Sequence, residues 1–346
     1  MEDFTYEIDV DGVATVDWNV LDTSLNVLTL SGLENLESII ANVIENSEIK
    51  GVIITSSKKD FAGGMDLNML SSFKNLEEGQ SSIKTFELIM RLHKMLRKLE
   101  LGGMDYKTKK GGKPVVWACP GISAGIGTEI GLCCHHRIVA NTNRTKVGLP
   151  EIMVGLFPGA GGTTRLVRML GLMASAPILF EGKLMKPQNA KNAGLIDEIT
   201  EPENLLKRSK AWILETTDNS LIKPWDLKGY QIPGGAPYHP NGFMTFVGAS
   251  AMIGSRSKGV YPAPQALLSA IYEGALTSFD NALKIEARWF TNILQKPSTS
   301  YMIRSLFLNK TALEKGMKRP KNIPDQSVQK LGILGAGMMG SGIAYS

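Results

Sequence analysis

Residues 113–165 read KPVVWACPGISAGIGTEIGLCCHHRIVANTNRTKVGLPEIMVGLFPGAGGTTR. The β-branched run from Pro114 to Ala118 predicts a strand that ends in the turn Pro120-Gly121. Gly121, Gly125 and Gly127 then space a corner that leads into a short helix carrying Glu129. A second strand pair runs to Pro150-Glu151, and Gly159, Gly161 and Gly162 open another helix. Two carboxylates therefore follow tight, glycine-built backbone. Glycines let a ligand approach main-chain N–H groups closely. A helix N-terminus adds unpaired donors and a positive dipole end. Donors beside paired carboxylates suit proton transfer next to a polarised carbonyl.

Working outward, 346 residues fit about two domains. A hydrophobic content of 43% and a charged content of 21% describe a soluble globular chain. The net charge of +5 is too mild to demand nucleic acid, yet it suits an anionic, phosphate-bearing ligand. The acidic start MEDFTYEIDVDG carries no signal-peptide core. No run approaches the ~18–20 apolar residues of a transmembrane segment. Cys119, Cys133 and Cys134 are odd in number and two are adjacent, so reduced core residues of a cytoplasmic protein are expected. His135 and His136 diverge on any helix, and neither HExxH nor CxxC occurs, so no metal site is assigned.

In chain order, Asp11-Gly12 between alternating segments predicts a hairpin. Ser31 and Glu34 form a capping box for a helix whose apolar stripe runs from Leu33 to Ile44. Gly51–Thr55 reads as a buried strand feeding the glycine turn Phe61-Ala-Gly-Gly-Met-Asp, and Ile83–Leu99 as a long amphipathic helix. Lys107, Lys109 and Lys110 sit in a loop that reads as solvated surface or as a basic rim for phosphates. Short helices are expected at Ala174–Phe180 and Pro187–Ala193, a strand at Leu195–Thr200 and a helix at Glu203–Glu215. Ile222–Pro264 is rich in Pro and Gly and reads as an ordered loop or linker. Gln265–Gly274, Phe279–Leu294 and Ser300–Lys315 have helical spacing, and Pro320–Gln329 reads as a linker. Lys330–Leu334 reads as a strand entering Gly335-Ala-Gly337-Met-Met-Gly340, a dinucleotide fingerprint.

FAGGMDL at 61–67, GISAGIGTEI at 121–130 and GLPEIMVGLFPGAGGTTRL at 148–166 resemble the crotonase (enoyl-CoA hydratase/isomerase) superfamily. The resemblance runs from about Asp9 to about Thr217. The remainder resembles the linker and dehydrogenase start of multifunctional fatty-acid β-oxidation α-subunits, which join an enoyl-CoA hydratase to a 3-hydroxyacyl-CoA dehydrogenase. It implies an α/β fold: a crotonase-like spiral of ββα units over 1–217, a loop and helical linker over 218–329, and a truncated Rossmann start over 330–346. It implies hydration of trans-2-enoyl-CoA, with Glu129 and Glu151 flanking one water. One takes its proton as it attacks Cβ and the other protonates Cα. It implies an oxyanion hole from the backbone N–H groups of Met65 and Ile126, and acyl-CoA contacts at Ala62, Gly64, Asp66, Leu67 and Gly125. Position 126 is commonly Gly and position 65 commonly Ala in the family, and a β-branched Ile126 predicts a restricted corner. Hydration needs no cofactor. Gly335, Gly337 and Gly340 imply an NAD site whose remaining parts lie beyond Ser346. A thiolase subunit is the implied partner, and Δ3,Δ2-enoyl-CoA isomerisation an implied second activity.

Two other readings stay open at this level. Gly121-Ile-Ser123-Ala-Gly125 fits the G-x-S-x-G elbow of a serine hydrolase, though only His239 lies well downstream and no HGG-type segment precedes it. A non-catalytic acyl-CoA-binding scaffold would bind coenzyme A without turnover. Arg165 and Arg168 read equally as an anion site or as stabilising helix charges.

Overall fold

The computed structural model describes residues 2–67, 69, 80–320, 322–323 and 328–345. Of the expected linker 320–329, residues 321 and 324–327 lie outside the described residues, as does Ser346. The strands are β1 Phe4–Ile8, β2 Val13–Trp18, β3 Val27–Leu28, β4 Gly51–Thr55, β5 Gly64–Met65, β6 Val115–Cys119, β7 Ser123–Ala124, β8 His136–Ala140, β9 Val147–Gly148 and β10 Glu198–Thr200. The helices are α1 Leu30–Glu45, α2 Gln80–Leu101, α3 Ile126–Cys133, α4 Gly162–Glu181, α5 Pro187–Asn192, α6 Leu205–Glu215, α7 Pro240–Ser257, α8 Pro262–Ala275, α9 Phe279–Leu294, α10 Pro297–Met302, α11 Lys310–Glu314 and α12 Met338–Tyr345. A π-helical stretch, Ile303–Asn309, joins α10 to α11.

The main sheet has the order β1-β2-β4-β6-β8-β10. Its β1–β2 edge is the expected hairpin, with Gly12 in the left-handed region at φ 82°. The other pairs are parallel. β4 and β6 are buried at every position, as strands covered on both faces must be. One face carries the large core. On the other, Val13, Ile53, Val116 and Ile138 pack with Leu205 and Ile213 of α6. β3–β5 and β7–β9 form small parallel pairs of their own. Along the chain, one strand of the main sheet, one short strand and one helix recur: β2-β3-α1, β4-β5-α2, β6-β7-α3 and β8-β9-α4. This is the spiral of ββα units.

Four local expectations are corrected. The first helix is capped by Thr29, whose hydroxyl accepts from the Gly32 N–H at 3.0 Å, and not by a Ser31–Glu34 box. The helix opened by Gly162 runs through to Glu181, with a break at Gly171 (φ 80°, ψ 169°), so Ala174–Phe180 is its second half. Residues 240–257 form α7 inside what reads as a loop. Pro240 pre-sets its first turn. Among its described side chains only Gly242, Phe246 and Ile253 are buried, a stripe too narrow to show as amphipathic periodicity. Lys330–Leu334 forms no strand, because no neighbouring strand pairs it, although α12 does open after the glycine turn.

Candidate active site

Two glycine corners are stitched together by backbone. The N–H groups of Phe61 and Ala62 donate to Ile122 O at 2.8 and 3.1 Å, and the Ala124 N–H donates to Ala62 O at 2.9 Å. Asp60 Oδ1 accepts from the Ile122 N–H at 2.9 Å, which ties the corners again. Behind them Asn26, fully buried, donates to Trp18 O at 2.7 Å and Phe61 O at 2.8 Å and accepts from the Val20 N–H at 3.0 Å. Trp18, Phe61 and Trp117 pack edge to face at 5.6 Å beneath the turn. These contacts bring Met65 and Ile126 to one cavity of about 500 Å³.

The strained conformation at the second corner falls on Gly125 (φ 58°, ψ −127°), which only glycine adopts readily. Ile126 is the first residue of α3 and is helical, so its β-branch meets no backbone conflict. The restriction expected at 126 is therefore absent. As first residue of a helix, its N–H has no intrahelical acceptor. Its side chain is buried in the main core.

Glu129 and Glu151 both line the cavity. Glu129 Oε1 accepts from the N–H groups of Ala160 and Gly162, each at 2.8 Å. A Cβ on Gly162 would lie 2.6 Å from that oxygen, so glycine is needed for the approach. Burial first, then the charges of Glu151 and Glu286, holds the Glu129 carboxyl well above the usual carboxylate range. Glu151 opens a 3-10 turn, Glu151–Val154. Its Oε2 is buried without a hydrogen-bond partner, and a Cβ on Gly125 would lie 3.0 Å from its Oε1. Burial pushes its carboxyl up to about 7, and Glu286 adds to the rise. The far end of α3 is fixed by buried Lys223, whose Nζ donates to Leu132 O at 3.2 Å and Cys134 O at 2.6 Å.

Gly64, Met65, Leu67, Gly125, Ile126, Glu129 and Glu151 share the cavity wall. Ala62 and Asp66 stand outside it: Ala62 is fully buried at a bridge to Ser123, and the Asp66 N–H donates to Leu28 O. Ser123 is also fully buried, and its hydroxyl meets that of Thr128 at 3.3 Å, not an imidazole. That placement removes the hydrolase elbow. Arg165 is no anion site, since it is buried against Glu100 at 2.9 Å. Arg168 is spent on Gly274 O and Thr277 O. Gly335 and Gly337 are exposed and Gly340 is half-buried, and none of the three lines the cavity.

The sequence reading missed Phe290, Leu306, Phe307 and Lys310, which line the cavity from α9, the π-helical stretch and α11. It also missed His93, Asn26 and Glu286. A signal existed for Glu286, because it interrupts the buried stripe Ala282, Leu283, Ala287, Phe290.

A spiral of ββα units that sets two carboxylates beside Met65 of β5 and Ile126 at the start of α3 on one cavity is a scaffold for acid–base chemistry. Residues 11–224 match the enoyl-CoA hydratase/isomerase family, and the chain belongs to it. It is 29% identical over 343 residues to the fatty acid oxidation complex subunit alpha of Vibrio parahaemolyticus, covering 99% of this chain and 46% of that protein. It is 31% identical over 343 residues to the subunit of the same name from Idiomarina loihiensis, covering 99% and 46%. The chain thus spans about half the length of these curated relatives. Among solved structures, human mitochondrial delta3-delta2-enoyl-CoA isomerase is similar with a TM-score of 0.60 at 19% identity, over 91% of this chain and 100% of that one. Enoyl-CoA hydratase from Bacillus halodurans has a TM-score of 0.59 at 17% identity, over 88% and 100%. No helix among the described residues is long and apolar enough to cross a membrane.

Proposed function

We propose that the chain hydrates trans-2-enoyl-CoA to 3-hydroxyacyl-CoA in fatty-acid β-oxidation. The observation that carries this reading is the meeting of Glu129, Glu151, Met65 and Ile126 on one cavity. The thioester oxygen sits between the N–H groups of Met65 and Ile126, which hold it as it becomes enolate-like. Two buried like charges cannot both ionise easily, so the pair keeps one proton near neutral pH. The ionised member takes a proton from water as its oxygen attacks Cβ. The protonated member delivers its proton to Cα. Acid–base help of this kind is worth roughly 10²–10⁴ in rate. Δ3,Δ2-isomerisation, which we keep as a second activity of this site, uses the pair differently: a carboxylate takes the proton from Cα and a proton is returned at Cγ as the double bond moves. Loss of crotonyl-CoA with formation of 3-hydroxybutyryl-CoA is the test. Tight binding of coenzyme A thioesters without turnover would instead establish the scaffold.

We further infer the division into a hydratase domain over 1–217, a linker over 218–329 and the opening of a Rossmann domain over 330–346. The turn fits close backbone packing: Gly335 has φ 96°, and a Cβ on Gly340 would lie 1.8 Å from Gly335 O. NAD bound there would accept hydride from a 3-hydroxyacyl-CoA, with Gly335, Gly337 and Gly340 admitting its pyrophosphate. Hydration itself uses no cofactor. The relatives' description as subunits of a complex supports a thiolase partner. Three free, buried cysteines support a cytoplasmic location.

A further inference from the structure

Glu286 lies on α9, beyond the residues 11–224 that match the family, and is 1% exposed. Its Oε1 accepts from the Gly161 N–H at 2.6 Å. Its Oε2 accepts from the Thr164 N–H at 2.8 Å and from the Thr164 hydroxyl at 2.6 Å. The donors at the start of α4 are thus shared out between two carboxylates. Ala160 and Gly162 serve Glu129, while Gly161 and Thr164 serve Glu286. Gly161 stands at φ 95°, which turns its N–H away from those on either side. Capping alone does not call for this arrangement. A neutral Ser or Asn would satisfy a helix start without burying a third carboxyl group beside two others.

The groups facing Glu286 are few. His93, from α2, places Nε2 3.6 Å from Glu286 Oε1 and 2.7 Å from Gly159 O. Among the described residues His93 is the one basic side chain within 4.0 Å of its carboxylate, and the two form an ion pair only if the imidazole is protonated. Arg165, from α4, feels its charge but is held by Glu100. Glu129 of α3 and Glu151 of the 3-10 turn feel it across the cavity wall.

We propose that Glu286 is a positioning residue for hydration: it pins the 161–164 backbone from behind, so that Ala160 and Gly162 hold Glu129 in its working orientation. The hydratase site then depends on a helix outside the family-matched segment. This rests on the hydratase reading. Glu286 touches no reacting atom. It fixes a loop, and its charge favours the protonated form of the pair. Glu286→Gln keeps the shape, removes the charge and turns an N–H₂ toward donors that need an acceptor.

The test is crotonyl-CoA hydration against pH for wild type and Glu286→Gln. Folding is checked by circular dichroism and by butyryl-CoA binding. The wild-type rate is read first, because its absence would overturn the hydratase reading and not this one. In Glu286→Gln, kcat is expected to fall about 10–100-fold with KM little changed, as for a sub-ångström to ångström misplacement. The whole pH profile should move to lower pH, since a charge that raises both carboxyls is gone. A folded variant with wild-type kcat overturns the proposal, and so does a lowered kcat with an unmoved profile. If Glu286→Gln does not fold, Thr164→Val decides, because it removes one donor to Glu286 and none to Glu129. A several-fold loss of kcat at unchanged KM supports the proposal, and an unchanged kcat overturns it.

Discussion

Ile126 occupies the first position of α3, where proline's fixed φ and missing N–H are both tolerated. Ile126→Pro therefore removes the proposed oxyanion donor without breaking the helix. The expected loss in kcat is roughly 10²–10³, with butyryl-CoA binding largely kept. A folded Ile126→Pro protein that hydrates crotonyl-CoA at the wild-type rate would place the thioester oxygen elsewhere. Glu151 gives a prediction on stability. Its folded carboxyl is raised from 4.5 to about 7, so between those values the folded state keeps a proton that the unfolded chain has released. Stability must then fall as pH rises through that window, and the buried Glu129 acts in the same direction. Glu151→Gln should flatten the dependence and be more stable than wild type at pH 8 by roughly 1–3 kcal/mol. Urea unfolding at pH 5 and pH 8 measures this; equal slopes in the two proteins would contradict the burial argument.

The elements that carry the site hold it by close backbone approach. α3 brings Glu129 to the start of α4, and Gly162 leaves room for it. Gly162→Ala should keep the fold, because alanine favours a helix. Its Cβ would displace the carboxylate and lower kcat by about 100-fold; an unchanged kcat would show that Glu129 need not sit against α4. Much of this was legible locally. Asp11-Gly12 announces the β1–β2 hairpin, and the buried parallel strands β4 and β6 show as apolar runs. Glu129 and Glu151 stand in motifs of their own. What stayed hidden depends on distant partners. Asn26 looks like any loop residue until Trp18 O and Phe61 O converge on it. Glu286 is joined to Gly161 and Thr164 across more than a hundred residues. Lys330–Leu334 looks like a strand, but a strand needs a neighbour.

Across the whole molecule, one cavity gathers residues from Gly63 to Lys310. The ββα spiral supplies the amides and the two carboxylates. The C-terminal helices close the wall with Phe290, Leu306 and Phe307. Phe157 and Phe290 meet edge to face at 5.7 Å, and a Cβ on Gly159 would lie 2.3 Å from the Phe290 ring. The helices after the family-matched segment are therefore part of the cavity wall, and the proposed hydration would belong to the chain as a unit. The central claim is that two carboxylates share the work of adding water. The most direct measurement is the initial rate of crotonyl-CoA hydration by wild type, Glu129→Gln and Glu151→Gln at neutral pH, each with folding confirmed by circular dichroism. Wild type should turn over, and each variant should lose roughly 10²–10⁴ of its rate. A wild-type rate in either folded variant would contradict the two-carboxylate account.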